Sequence, residues 1–309
     1  MTGGKNKLKV ALTGSRGLIG TALAERMIAS GFEVIRVSRD KTDKKNPIWN
    51  PESGSMDEKS REKLEGLHAF IHLAGENIAS GRWTKDKKIE IEQSRVQATS
   101  NLVEALGSLN TPPAHFLCAS AIGYYGNRGE ETLTERSNVA KLDFLSGVCK
   151  EWEKSANSIR EILPEIRVIN LRFGVVLSKK GGALNKMLPP FQMGLGGPIG
   201  NGRQFMSWID IEDTAGAIIH CLNHTELNGP VNIVSPNPVT NAEFTKVLSD
   251  VIKKPAFLPM PDFAAKMVFG QMAEELLLAS TKVRPAKLEE TGFRFEFPTL
   301  HNSLMHLLV

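Results

Sequence analysis

The sequence predicts an α/β chain in which a doubly wound parallel sheet, with helices on both faces, is followed by a smaller, mostly helical C-terminal module. Three observations lead there. Residues 10–20, Val-Ala-Leu-Thr-Gly-Ser-Arg-Gly-Leu-Ile-Gly, carry a short apolar strand into glycines at 14, 17 and 20. Apolar strands then alternate with helical stretches as far as residue 173, the pattern of a parallel sheet. Beyond residue 235 the strand signal gives way to helices bounded by Pro255, Pro261, Pro285 and Pro298.

Element by element, the first helix is predicted over 18–30, where Leu18, Ile19, Ala22, Leu23, Met27 and Ile28 recur at helical spacing and Gly31 stops the run. The strand Glu33–Val37 completes a strand-helix-strand unit. Further strands are expected at Ala69–Leu73, His115–Ala119 and Arg167–Phe173, each after a helical stretch, over 57–65, 85–107 and 145–162. Right-handed crossovers bring the C-terminal ends of such strands to one edge, where ligands bind. From 181, Gly181-Gly182, Pro189-Pro190, Gly194-Leu195-Gly196-Gly197-Pro198 and Gly200-Asn201-Gly202 predict a turn-rich excursion away from the sheet. A strand over Met206–Ile211, a helix over 213–222 and a strand at Val231–Val234 lead back. Helices at Ala242–Ile252, Asp262–Ser280 and near 299–308 close the chain.

The glycine turn points to a dinucleotide. Glycines let the backbone approach a diphosphate closely, and the following helix offers free N–H groups and its positive dipole end. Gly14, Ser15, Arg16, Gly17, Leu18, Ile19 and Gly20 are therefore candidate cofactor contacts. At the end of the second strand an acid would take a ribose 2′-hydroxyl, whereas a cation accommodates a 2′-phosphate. Here Ser38-Arg39 stands at that place, Arg16 adds a second cation, and Asp40 falls too late, so NADP(H) is favoured over NAD(H). Residues 1–178, with 206–235 returning, read as the dinucleotide-binding domain and 179–309 as the substrate module.

With 309 residues, 41% hydrophobic and 23% charged, the chain has the composition of a soluble globular enzyme. A net charge of +4, evenly spread, gives no ground for a nucleic-acid partner, and the Lys41–Lys45 run reads as a solvated loop. No basic-then-apolar leader and no run of ~18 apolar residues appears, so neither secretion nor a membrane span is expected. Cys118, Cys149 and Cys221 form no CxxC pair, which fits a reducing cytoplasm. The seven histidines show no metal-ligand spacing. The first six residues, with Gly3 and Gly4, read as a disordered lead-in. A small molecule is the expected partner, and monomer or homodimer stays open.

Thr13-Gly14-x-x-Gly17-x-x-Gly20, the strand end His72-Leu73-Ala74-Gly75, the Ser-containing strand before Tyr125-Gly126 and the turn Asp210-Ile211-Glu212-Asp213 together resemble the extended short-chain dehydrogenase/reductases, the superfamily of nucleotide-sugar epimerases. The chain is most similar to an atypical branch of NAD(P)-dependent epimerase-like proteins. That likeness is carried by Leu73-Ala74-Gly75-Glu76-Asn77-Ile78, Arg82-Trp83, Phe144-Leu145, Trp152-Glu153, Leu188-Pro189-Pro190-Phe191, Arg203 to Ile209 and Thr240-Asn241-Ala242-Glu243-Phe244. It runs from about residue 8 to the C-terminus and implies a Rossmann-type fold with cofactor contacts also from Leu73, Ala74, Gly75, Arg95 and Arg172.

In the superfamily a Tyr and a Lys one helical turn later exchange the proton while hydride moves. With Glu153 as register mark, the resemblance puts Leu145 at the Tyr position and Cys149 at the Lys position, so that mechanism is missing; Lys150 points about 100° away. Ala121 stands where a Ser or Thr is usual, with Ser120 one place earlier, and Arg95 near the place of an active-site Asn. Met206 occupies the place of an Arg that holds a nucleotide diphosphate, which removes support for a nucleotide-sugar substrate. The remaining candidates for chemistry are Ser120, as hydrogen-bond donor or strand-end cap, Tyr124 and Tyr125, as acid or turn packing, and Cys149, as nucleophile or inert apolar residue. His72 reads as a packed strand residue. Glu76, Asn77, Arg82, Trp83, Arg203 and Met206 are candidate substrate contacts; Phe205, Met206 and Trp208 suggest an apolar pocket or strand core. Two readings follow: an NADP(H)-dependent oxidoreductase on a small carbonyl or alcohol, or a non-catalytic NADP(H)-binding sensor.

Overall fold

The computed structural model describes residues 7–139 and 142–309. The first six residues, read as a disordered lead-in, lie outside the described residues. Six parallel strands form the sheet: β1 (Lys9–Thr13), β2 (Glu33–Arg36), β3 (Ala69–His72), β4 (His115–Ala121), β5 (Arg167–Phe173) and β6 (Gly229–Ile233). Their order is β6-β5-β4-β3-β1-β2, so the winding reverses at β1 and leaves a crevice beyond the C-terminal ends of β1 and β3. The inner strands are covered on both faces, which is why they read as continuous apolar runs rather than alternating ones.

Helix α1 (Leu18–Ala29) packs beside a later helix, Ile211–Asn223, burying Leu23, Met27 and Ile218 against Val10, Leu12 and Ile169. On the other face α2 (Val96–Gly107) and α3 (Phe144–Asn157) bury Leu102, Leu106 and Trp152 against Phe70, Phe116 and Val168. Each such aliphatic or aromatic side chain contributes about 1.5–3 kcal/mol on burial. Capping residues mark several starts: Asp143 with Ser146 at α3, Asp210 at α4 (Ile211–Asn223), and Thr240 with Glu243 at α5 (Asn241–Ile252). The C-terminal residues have their own core, in which Leu184, Leu188, Phe191, Trp208, Phe244 and Leu304 meet. Their last segment is clasped by α4: the Asp213 carboxylate accepts from the N–H groups of Glu296 and Phe297 at 2.7 and 2.9 Å, and Asp210 accepts from Ser303 Oγ at 2.6 Å. No helix among the described residues is long and apolar enough to cross a membrane.

The six strands of the sheet fall where expected within two residues at either end; the other elements depart more. The stretch 85–107 is two helices, Lys85–Gln93 and α2, broken at Ser94-Arg95, where Ser94 Oγ accepts from the Glu76 N–H and donates to Ile91 O. The stretch 145–162 likewise divides into α3 and the short Ile159–Ile162. The excursion from 181 opens with a helix, Gly182–Gln192, that contains Pro189 and Pro190. Burial of Leu184, Leu188 and Phe191 there outweighs the lost hydrogen bonds. Met206–Ile211 is two strands, Phe205–Met206 and Trp208–Asp210, with different partners; Ser207 between them accepts from Val283 N at 2.8 Å. Asp262–Ser280 is a helix only to Phe269, because Gly270 takes φ +62°, and a π-helical turn, Ala273–Leu277, follows.

Two glycines in helices test the packing argument in opposite directions. A Cβ at Gly20 would overlap the Gly14 carbonyl oxygen and lie 2.8 Å from Ser15 Cα, whereas one at Gly147 meets nothing within 4 Å. Gly20→Ala should cost about 2–3 kcal/mol and lower the Tm by roughly 4–8 °C. Gly147→Ala should stabilise by about 0.5–1 kcal/mol. Thermal melts of both variants check this; equal shifts would contradict it.

Candidate functional site

The glycine turn is held against the end of β3. Gly14 adopts φ +67°, and a Cβ there would come 2.8 Å from the Leu73 carbonyl carbon, so the first glycine permits the close approach of the two strand ends. Gly17 is the N-cap of α1, in extended backbone, and near its Cβ position lies only the Gly14 carbonyl, 3.2 Å away. The first turn of α1 has no acidic residue and no side-chain cap. Its N–H groups and positive end therefore stay available to an anion. Leu18 packs along Gly181-Gly182, and Ile19 and Leu73 pack on the sheet core. The cradle that a Cβ would fill, with uncapped N–H groups above it, fits a diphosphate.

At the end of β2, Ser38 pairs through its backbone with Ile48 and accepts from the Asp40 N–H at 3.1 Å. Arg39 is exposed. Arg16, its side chain 74% exposed, reaches Asp43 at 3.4 Å. Hydrogen bonds from the Asn46 side chain and backbone hold the Asp43 carboxyl down at about 2, so it is anionic at neutral pH. Sequence reasoning missed Arg36, whose Nη1 donates to Ser15 O at 3.0 Å and ties the end of β2 to the glycine turn. Its signal was its place two residues before Ser38.

Across the C-terminal ends of β4, β5 and β6 runs a buried polar network. Arg172 donates through Nε and Nη2 to the two oxygens of Glu153, at 2.7 and 2.8 Å. Ser120 Oγ donates to Glu153 Oε1 at 2.7 Å. Tyr125 accepts from Arg172 Nη1 at 3.0 Å and donates to Asn232 Oδ1 at 2.7 Å. Three expectations change. Arg172, only 3% exposed, spends its charge on Glu153 and is not free for a cofactor phosphate. Tyr125 is fully buried, its phenol pushed up to about 12 chiefly by burial, which disqualifies it as an accessible acid. Cys149 is 1% exposed, its thiol also pushed up to about 12 by burial and then by the Glu153 charge, so it is no nucleophile. Glu153, which in the sequence marks only the helix register, is the acceptor on which this network converges.

Leu145 and Cys149 lie with Trp83, Ile91, Val148 and Met272 in one apolar cluster, and Tyr124 packs on its edge. The centre of the Tyr124 ring is 3.5 Å from the Arg172 guanidinium carbon. The C-terminal module reaches this cluster: Glu275 Oε2 accepts from the Leu145 N–H at 2.8 Å. Trp83 is buried in it, donating to Ile78 O, while Arg82 is exposed and lies along Gly270. Glu76 pairs with Lys87, and the exposed Asn77 closes a local turn onto Ala79 N. Arg95 lies beside Gly75 and stacks on Trp152, 5.1 Å away. Arg203 is exposed and not among these residues, and Met206 accepts from Asn241 in the C-terminal core. Trp208, fully buried there, belongs to the core rather than to a pocket. His72 is packed as expected: Nδ1 meets Thr13 Oγ1 at 2.7 Å, and Nε2 has no partner among the described residues.

Residues 10–234 match the NAD dependent epimerase/dehydratase family, and residues 260–307 match a domain of unknown function, DUF1731. An epimerase family protein of Mycobacterium leprae is 37% identical over 99% of this chain and 97% of its own length. The crystal structure of the human epimerase family protein SDR39U1 (isoform 2) with NADPH superposes with a TM-score of 0.88 at 34% identity, over 97% of this chain and 99% of that one. The nucleoside-diphosphate sugar epimerase of Corynebacterium glutamicum gives 0.79 at 34% identity, over 98% of this chain and 58% of that one.

Two outcomes follow from burial at this site. Burial pushes His72 down to about 4 from its ordinary 6.5. Above pH 6.5 both folded and unfolded chains hold it neutral; below, only the unfolded chain gains a proton, so stability falls from pH 6.5 until the folded form protonates near 4, by roughly 3 kcal/mol. Urea denaturation at pH 7 and 4.5 should show a smaller loss in His72→Gln than in the parent, and parallel losses would count against it. Separately, a thiol reagent at pH 8 should label none of the three buried cysteines in the folded protein and all three in denaturant.

Proposed function

Because the chain belongs to the NAD dependent epimerase/dehydratase family, we propose that it binds NADP(H) and acts as an oxidoreductase or epimerase-type enzyme on a small carbonyl or alcohol, without the usual Tyr/Lys pair. The observation that carries this reading is the glycine cradle: Gly14 pressed against Leu73-Ala74, Gly17 and Gly20 closed on the Gly14 carbonyl, beneath an uncapped helix start, with Arg16 and Ser38-Arg39 nearby at the end of β2. The NADPH in human SDR39U1 supports the choice of cofactor. In this assignment the cofactor sits on residues 1–178 with 206–235, and residues 179–309 form the substrate module. Three buried free cysteines fit a reducing compartment, the cytoplasm.

Bound NADP(H) supplies or accepts a hydride. The chain contributes the rest. Ser120, 2% exposed and with its proton on Glu153, acts as a strand-end cap, which leaves the substrate to Tyr124. Tyr124, held over Arg172, is the phenol that stays partly open and can donate to a substrate carbonyl. The second reading, a non-catalytic NADP(H) sensor, is favoured by one observation: Leu145 and Cys149 fill the places of the pair as apolar packing under Met272. A screen of NADPH oxidation against a carbonyl panel separates the two.

NADPH should bind at least ~10-fold tighter than NADH, a preference of about 1.4 kcal/mol. Arg39→Asp should weaken NADPH and leave NADH nearly unchanged by calorimetry, and equal affinities of the parent for both cofactors would defeat the assignment. Gly17→Val should remain folded by circular dichroism and lose NADPH binding, since the side chain enters the diphosphate path.

A further inference from the structure

Half of the large apolar side chains left exposed among the described residues gather in one place. Seven of the fourteen fall at 193–195 and 257–268, where scattered exposure would have spread them along the chain. Phe257, Phe263 and Met267 are 71, 69 and 70% exposed, and Leu258 and Val268 accompany them. The two stretches form one surface. Leu258 N donates to Gly196 O at 3.1 Å, Met260 N donates to Pro198 O at 2.9 Å, and a Cβ on Gly194, between Met193 and Leu195, would lie 3.5 Å from Pro255. Five residues beyond Leu258, Phe263 and Met267 stand one turn apart on the helix Asp262–Phe269, whose Ala265 turns inward. With aromatic side chains of roughly 150–250 Å² and aliphatic ones somewhat smaller, these exposures leave on the order of 800 Å² of apolar surface, which is what one partner gives a standard interface. Monomers rarely carry so large a patch.

The charges on this face select the partner. Asp262 and Lys266 are both exposed and stand one turn apart on the same flank of Phe263 and Met267. Lys266 reaches Glu274 at 3.1 Å, which engages one of its three donors. Laid antiparallel against itself about a twofold axis, the helix sets Asp262 of each copy opposite Lys266 of the other, with the apolar side chains meeting beside them. An anionic lipid surface would instead meet Asp262 with like charge. The outer faces of α2 and α3 offer no such patch: they present Glu104, Lys150, Glu151 and Lys154.

We propose that the face carrying Phe257, Leu258, Phe263, Met267 and Val268 is the contact between two copies of this chain, paired about a twofold axis with the two Asp262–Phe269 helices antiparallel. Gly270, which ends the helix, lies against Arg82, and Met272 packs with Leu145 and Cys149. The pairing thereby braces the segment that closes the site, and it holds whether or not the cofactor reading does.

Sedimentation equilibrium of the full chain at micromolar concentration tests it. The parent should be a dimer, and Phe263→Ser and Met267→Ser should each weaken the dimer at least tenfold with unchanged circular dichroism. Asp262→Lys and Lys266→Asp, each of which sets like charges opposite one another twice, should also weaken it at least tenfold. A one-to-one mixture of these two variants should dimerise at least tenfold more tightly than either alone, because both cross-pairs then carry opposite charges. A monomeric parent overturns the proposal; if that monomer sediments with phosphatidylglycerol vesicles and Phe263→Ser does not, the face belongs to a membrane, with the exposed Lys253 and Lys254 drawing it there. A dimeric parent unaffected by both serine variants has its interface elsewhere and also overturns it, as does a mixture no tighter than the separate variants.

Discussion

The arrangement at the C-terminal edge of the sheet depends on the buried pair Glu153 and Arg172. Withdrawing two charges from water costs several kcal/mol per ion, and the attraction between them offsets this only when the remaining donors and acceptors are satisfied. Here they are: the guanidinium also reaches Tyr125, and the carboxylate also accepts from Ser120. The pair fixes α3 against β5, and through Ser120 and Tyr125 it orients the end of β4 and the turn after it. Tyr125 in turn holds Asn232 on β6. One ion pair thus sets the relative position of four elements. It also decides which side chains are left for chemistry, by engaging the Ser120 proton and both ends of the Tyr125 hydroxyl.

The C-terminal module completes the site from the opposite side. The start of α3 has its own capping box, yet the Leu145 N–H finds its acceptor on Glu275, 130 residues later. Met272 and Leu276 join the same apolar cluster as Leu145 and Cys149. The π-helical turn at Ala273–Leu277 places these residues, and the preceding Gly270 allows the chain to change direction against Arg82. Leu145 and Cys149 therefore have a packing role that a phenol and an ammonium at these positions would disturb.

The sheet and the glycine turn were legible in the sequence because their causes are local. A strand covered on both faces is an apolar run wherever it occurs, and the close approach of Gly14 to Leu73 needs glycine whatever the rest of the chain does. Helix limits were less legible because distant contacts decide them. The break at Ser94-Arg95 exists to bind the end of β3, and the helix through Pro189 and Pro190 survives because its apolar face finds Trp208 and Phe244. The polar network was invisible for the same reason. Ser120, Glu153, Arg172 and Asn232 sit on four elements, and nothing in the spacing of a carboxylate on a helix and an arginine on a strand says that they meet.

The clasp of Asp210 and Asp213 on the C-terminal segment bears on how the protein is made. Both carboxylates are buried at the start of α4, and their side-chain or backbone donors at 296, 297 and 303 are supplied from a part of the chain synthesised much later. Until those residues emerge, α4 can dock on α1 only by enclosing two acids short of partners, or by leaving its first turn wet. Final closure of the sheet face is thereby coupled to translation of almost the whole chain. A ribosome-stalled or nicked product ending before residue 296 would expose the first turn of α4 and its apolar neighbours, a feature by which chaperones and proteases can tell an unfinished molecule from a finished one.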